Sequence, residues 1–244
     1  MMSSFAPRAA LGDRVASIVV VDTDGGEETV LPSGSAVLGF QLRGRVRSGD
    51  ALFSVAGVTG IQKHARRYSY IGPTRSVLVH FTPQGAACLG VPASELSNRS
   101  VALDVLLPES REVVERFQEA RTIAEGVAIV EDFLARRPFT EDPLVARALR
   151  FLAADPDEDS SIARIARSFS MSERQLERRF LQRVGSPPKR YASLRRFERA
   201  AALVGSGAPL GRIALEAGYY DQSHFVREFR RFSGMTPGEL LRIR

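Results

Sequence analysis

The feature that most limits what this chain can fold into is an internal repeat near its end. SIARIARSFSMSERQLERRFLQRVGSPP at 161–188 matches LGRIALEAGYYDQSHFVREFRRFSGMTP at 210–237. Arg178 and Arg227 stand 49 residues apart, as do Phe180 and Phe229, Gly185 and Gly234, and Pro188 and Pro237. Each half reads as a short helix with an Ile-Ala pair, a turn, and a longer helix with a central arginine. The second turn reads one residue longer. Two such units side by side require an all-helical module of paired helix-turn-helix motifs.

Helical periodicity assigns the faces. In the first longer helix Leu176, Phe180 and Val184 share one stripe and must pack inward. Arg174, Arg178 and Gln182 share the opposite face, with Gln175 beside them. Ser172 occupies the N-cap position with Gln175 three residues on, a capping-box pair. In the second helix Phe225, Phe229 and Phe232 form the inward stripe. Ser223, Arg227, Arg230 and Arg231 face out, His224 lies at the margin, and Asp221 is the expected cap. Long donors near a helix start are what a recognition helix offers to base edges. Arginine matches guanine O6/N7 and glutamine matches adenine N6/N7 through two hydrogen bonds. Ser172 at its helix N-terminus, Lys189 and Arg190 are placed to hold phosphates. One such helix alone would read as a solvated basic face; the recurrence of turn, cap and central arginine argues against that here. Between the halves Tyr191, Leu194, Phe197, Ala200, Ala201 and Leu203 make an apolar helix. It would set the two outward faces about 34 Å apart, one turn of DNA.

Charge follows the repeat. From Asp157 onward there are seventeen Lys and Arg against ten Asp and Glu, while residues 1–156 hold seventeen against eighteen. The whole positive excess therefore lies with the repeat, as a polyanionic partner requires.

The front half has a different grammar. Strands are expected at Val15–Val21, Thr29–Leu31, Val37–Leu42, Leu52–Val58 and Val77–Phe81. Asp24-Gly25-Gly26, Pro32-Ser33-Gly34, Ser48-Gly49-Asp50 and Gly72-Pro73 read as turns between them. Short strands at such spacing predict a small β-barrel or sandwich. Helical pieces follow near Gln84–Leu89 and Ala93–Leu96. From Glu109 two helices carry Val113, Val114, Phe117, Ile123, Val127, Val130, Phe133 and Leu134 on apolar stripes. That face at 109–136 either packs on the strands or meets a second copy of the chain. A third helix opens at Asp142-Pro143, cap and first-turn proline, and carries Leu144, Val145, Ala148, Leu149 and Leu152. The acidic run Asp155-Pro156-Asp157-Glu158-Asp159 is the expected linker. It divides the chain into 1–154, 155–159 and 160–244.

Runs such as Ala16–Val21 and Val77–Phe81 are too short to span a bilayer, and the N-terminus lacks a basic-then-apolar leader pattern. No membrane partner and a cytoplasmic location are expected. The single cysteine, Cys88, cannot form an internal disulfide.

The segment from about 157 to 244, above all GYYDQSHFVREFRRFSGMTPGEL, resembles the DNA-binding domain of AraC/XylS-type regulators. LPSGSAVLGFQLRG, VHFTPQGAACLGVPASELSNRSVALDVLL and DPLVARALRFL resemble the branch of that family with a cupin-like front domain of unknown function. The resemblance implies two domains: an N-terminal small cupin-like β-barrel plus helices, and a C-terminal all-α tandem helix-turn-helix. It implies base readout from Arg174, Gln175 and Arg178 in the first motif and from Gln222, Ser223, His224 and Arg227 in the second. It implies a transcription activator or repressor, partnered by double-stranded DNA, RNA polymerase, a small-molecule effector and a second copy of the chain. It names no effector. The run LRRFERAAAL at 194–203 departs from the commoner spacer pattern, which concerns the spacer and not the DNA-facing helices.

An enzyme with an appended DNA domain is the alternative. A metal-dependent cupin needs clustered histidines with a carboxylate. Here His64 and His80 stand singly, His64 in the polar stretch Gln62–Arg67 and His80 in a strand, where it either packs in the wall or meets a ligand. A repair methyl acceptor needs a reactive cysteine, but Cys88 lies in the apolar Ala86-Ala87-Cys88-Leu89-Gly90, which does nothing to stabilise a thiolate. Arg43, Arg45, Arg47, Arg66, Arg67 and Arg75 read as spaced surface arginines rather than an anion site. The expectation is no catalytic residue, no metal and no cofactor.

Overall fold

The computed structural model describes residues 2–154 and 158–243. The front half is built on an eight-stranded sheet: β1 (Met2–Phe5), β2 (Val15–Thr23), β3 (Gly26–Val30), β4 (Val37–Ser48), β5 (Ala51–Leu52), β6 (Ala56–Thr59), β7 (Arg66–Phe81) and β8 (Ser100–Ala102). The order is β1-β2-β7-β4-β6-β8, with β3 also on β7 and β5 also on β4, and every pair is antiparallel. Among the described residues nothing joins β1 to β8, so the sheet is open where a closed barrel was expected. Its end strands hold only four and three residues.

β7 is the backbone of the sheet and differs most from expectation. Gly72-Pro73, read as a turn between strands, instead lies inside one 16-residue strand. Tyr70 pairs with Val46 and Gly26 before it; Thr74 and Arg75 pair with Thr23 and Asp22 after it. Proline has no N–H to give the ladder, so the strand must bend there rather than pair. Opposite the bend, β4 shifts register around Gly44, whose φ is +76°. A side chain at Gly44 would lie 2.7 Å from the Pro73 carbonyl oxygen; only glycine tolerates both that φ and that approach. The expected strand Leu52–Val58 likewise divides into β5 and β6, both pairing with β4.

Five helices belong to the front and middle of the chain: α1 (Ala93–Leu96), α2 (Leu103–Leu106), α3 (Arg111–Glu119), α4 (Ile123–Ala135) and α5 (Pro143–Ala154). α3 and α4 close one face of the sheet. Phe117 stacks on Phe40 with ring centres 5.0 Å apart, and Val113, Ile129, Val130 and Leu134 join Leu38, Val79 and Phe81 in one core. The apolar face at 109–136 is thus covered by the sheet.

α5 behaves differently. Its Leu144, Val145, Ala148 and Leu152 lie in the other core, with Leu176, Phe180, Val184 and Phe197. That core is made by α6 (Glu158–Ser168), α7 (Glu173–Val184), α8 (Pro188–Leu203), α9 (Leu210–Ala217), α10 (Gln222–Ser233) and α11 (Pro237–Ile243). Asp155, Pro156 and Asp157 of the expected linker lie outside the described residues, and Glu158 and Asp159 already belong to α6. Among the described residues no helix is long and apolar enough to cross a membrane.

Candidate nucleic-acid interface

The repeat is carried into three dimensions residue for residue. α7 begins and ends 49 positions before α10, α6 ends 49 before α9, and α8 starts 49 before α11. Leu176, Phe180 and Val184 are buried in α7, as are Phe225, Phe229 and Phe232 in α10. Each helix is stopped by a glycine in the left-handed region, Gly185 at φ +85° and Gly234 at +78°.

The starts are fixed by side-chain caps. Ser172 Oγ accepts from the Gln175 amide at 3.3 Å, and Gln175 Oε1 accepts from the Ser172 amide at 2.9 Å. Asp221 Oδ1 accepts from the His224 amide at 2.6 Å. These caps hold the first turn, the part that would enter a groove, in one geometry. The two turns close alike: Met171 N–H donates to the Ala166 carbonyl and Tyr219 N–H to that of Ala214. Between their helices both turns hold four residues, 169–172 and 218–221, so the longer second turn expected from the sequence is not found; instead its closing bond falls one residue earlier, which leaves Tyr220, 89% exposed, between that bond and the cap.

Arg174, Gln175, Arg178 and Gln182 are all exposed on α7. On α10 Gln222, Ser223 and Arg227 are exposed, and half-buried His224 sets its ring edge-on against Tyr219 at 5.3 Å. Lys189 is exposed at the start of α8. Arg190 is drawn elsewhere: its guanidinium donates to the Lys63 carbonyl at 3.1 Å. The capping box expected at Ser172 and Gln175 is present, and it occupies the Gln175 oxygen and leaves only its amide donors.

Sequence reasoning missed the seam by which the front half grips both helices from behind. Ala65 N–H donates to the Phe232 carbonyl at 2.8 Å, and His64 Nδ1 lies 2.8 Å from the Arg231 carbonyl oxygen. Gly34 N–H donates to the Glu198 carboxylate of α8 at 2.9 Å. On α7 the Arg179 Nε donates to Asp142 Oδ2 at 2.5 Å, with Arg183 at 3.8 Å. A side chain at Gly185 would lie 2.8 Å from the Ala93 carbonyl oxygen, so α1 presses on the end of α7. Nothing in the spacing of Lys63-His64-Ala65 announces these contacts, since two of them use backbone atoms.

Cys88 is fully buried. Burial pushes its thiol up to about 11, against the pull of nearby Arg14 and Arg137. Iodoacetamide at pH 8 is therefore expected to leave Cys88 unmodified in the folded protein and to label it fully in denaturant; rapid labelling of native protein would contradict this. Among the described residues no three His, Cys, Asp or Glu side chains gather. His64 lies on the seam and His80 on the wall of a cavity.

Residues 165–243 match the model of a helix-turn-helix domain, and residues 3–102 match that of a domain of unknown function, DUF6597. A putative AraC-like transcription regulator of Streptomyces antibioticus is 38% identical over 99 residues, 40% of this chain and 33% of that protein. The transcriptional activator RhaR of Klebsiella pneumoniae is 28% identical over 151 residues, covering 54% of each. The chain thus spans about a third to a half of the length of these relatives. ToxT of Vibrio cholerae has a similar fold, with TM-score 0.50 at 12% identity over 99% of this chain and 98% of that one. Caps, faces, turns and these matches agree: the chain joins an N-terminal domain of the DUF6597 type to a C-terminal helix-turn-helix domain of the AraC type.

Proposed function

We propose that this protein is a cytoplasmic, sequence-specific DNA-binding transcriptional regulator. Its α7 and α10 enter successive major-groove segments, and a small molecule in the front domain controls it. The observation that carries this reading is the pair of equal helices in 49-residue register, each capped, each with an exposed central arginine over a buried apolar stripe. The base-reading set is Arg174, Arg178 and Gln182 with Gln222, Ser223, His224 and Arg227. Gln175 offers only its amide donors, so it cannot make the donor-plus-acceptor pair that adenine N6/N7 asks for. Ser172 and Lys189 serve phosphates; Arg190 would join them only by leaving Lys63. RNA polymerase is the partner through which a bound regulator of this kind acts.

Genome-wide footprinting, followed by competition binding at fixed salt, tests the reading. Arg178→Ala and Arg227→Ala are each expected to cost about 1–3 kcal/mol at a few bases and to relax specificity there. Equal affinity for all sequences would reject a regulator in favour of a nonspecific DNA-packaging protein. A uniform loss in the variants would place both arginines on phosphates.

A further inference from the structure

The sheet of the front domain lines a partly open cavity of about 170 Å³. A cavity of roughly 150 Å³ lined by aliphatic side chains holds benzene, so this one has room for a single ring-sized molecule. Val21, Val37 and Leu78 supply apolar wall, and no lining side chain is acidic. Its one charged side chain is Arg66, whose two terminal nitrogens already donate to Ser100 Oγ and the Asn98 carbonyl. Burial pulls the His80 imidazole below its ordinary value, which keeps it neutral at physiological pH. Two lining residues carry a buried oxygen without a hydrogen-bond partner, Gln62 Oε1 and Ser76 Oγ. The Gln62 amide cannot be turned round, because its nitrogen donates to the Gly60 carbonyl at 2.7 Å. An orphaned acceptor of this kind asks for a donor. Water alone would supply one but would leave the apolar wall wetted.

The wall on this side is also the seam. Along the segment 60–66, Gly60, Gln62 and Arg66 line the cavity, while Ile61 is buried in the helical core and His64 and Ala65 bond to α10. Across from it Ser33 and Ser35 line the cavity on either side of Gly34, which bonds to Glu198. One strip of backbone therefore faces the cavity with some residues and the second recognition helix with others.

We propose that this cavity takes an uncharged, ring-sized, mainly apolar molecule that brings an O–H or N–H donor to Gln62 and Ser76, and that its occupancy is felt by α10 through residues 60–66. A cation would be buried there without a counter-charge, and an anion has no proton to give the Gln62 oxygen. That the occupant acts as an effector rests on the regulator reading; its binding does not.

The test uses the full chain with four probes of similar size: phenol and benzamide, uncharged donors, against benzoate and benzylamine. Calorimetry and thermal shifts are expected to show phenol and benzamide binding at least about tenfold more tightly than the charged pair. Ser76→Ala, which removes an unpaired hydroxyl and leaves the fold intact, and Gln62→Leu should each weaken benzamide about tenfold. Saturating benzamide should alter hydrogen exchange at the Ala65 amide. Benzoate binding as tightly as benzamide, no binding by any probe, or unchanged affinity in both variants would overturn the ligand class. An unaltered Ala65 amide under saturation would overturn the coupling. Specific footprints with no probe binding would sink this inference and spare the regulator; probe binding without DNA specificity would do the reverse.

Discussion

Phe229→Ala is expected to lower the unfolding free energy by about 3–5 kcal/mol, read as a fall in the urea midpoint. Phe229 is fully buried on α10, with its ring centre 5.1 Å from Phe197 of the spacer helix and 5.6 Å from Phe225. Phe197 also meets Phe232 at 5.1 Å. Truncation therefore opens a void where the second motif rests on α8, and a ring-lined void of that size cannot collapse without moving one of the two helices. DNA binding should lose the contribution of Arg227 while that of Arg178 persists, because the Phe180 ring packs on Tyr191 near the start of α8 and Phe229 on Phe197 and Phe225. Phe229→Leu, keeping most of the volume, should cost markedly less. An alanine variant as stable as the parent would mean that α10 is not seated on α8 as described.

Asp142→Ala is expected to cost about 2–3 kcal/mol. The Asp142 side chain is 2% exposed yet makes three kinds of contact. Its Oδ1 accepts from the Leu144 and Val145 amides and so caps α5; its Oδ2 accepts from Arg179 on α7; and its backbone is clasped by Gln84. Burial pushes this carboxyl up, but the Arg179 hydrogen bond, the Leu144 and Val145 amides and the Arg179 charge together outweigh it and hold the group below the ordinary 3.8. The sign for pH follows. A group more acidic in the folded than in the unfolded chain adds stability that is complete above the unfolded value. It is lost as pH falls through the folded value. Below about pH 4 wild type should lose stability faster than Asp142→Asn, which has no carboxylate to protonate. Parallel acid limbs for the two proteins would mean that Asp142 is not held by Arg179.

The helical half was legible because its signals are local. Leu176, Phe180 and Val184 recur at helical spacing, and Ser172 with Gln175 or Asp221 with His224 mark the starts within three residues. The sheet was less legible, since partners lie far apart in sequence and register is set by pairing. Gln62–Arg67 reads as a polar stretch and no strand is expected between Val58 and Val77, but Tyr68 and Tyr70 line the cavity while β3 and β4 pair with the backbone. Gly72-Pro73 signals a break that the fold uses as a bend. For α5 the apolar stripe was visible, but no pattern within a helix says which neighbour it will meet.

That last helix bears on how the chain can be cut. Leu144, Val145, Ala148 and Leu152 fill space beside Leu176, Phe180 and Val184, and Asp142 ties the start of α5 to Arg179 on α7. A fragment begun at residue 160, where composition suggests the boundary, would carry both motifs but leave the first with an open flank. Soluble, DNA-competent pieces should start ahead of Asp142, so the autonomous unit is one helix longer than its repeat.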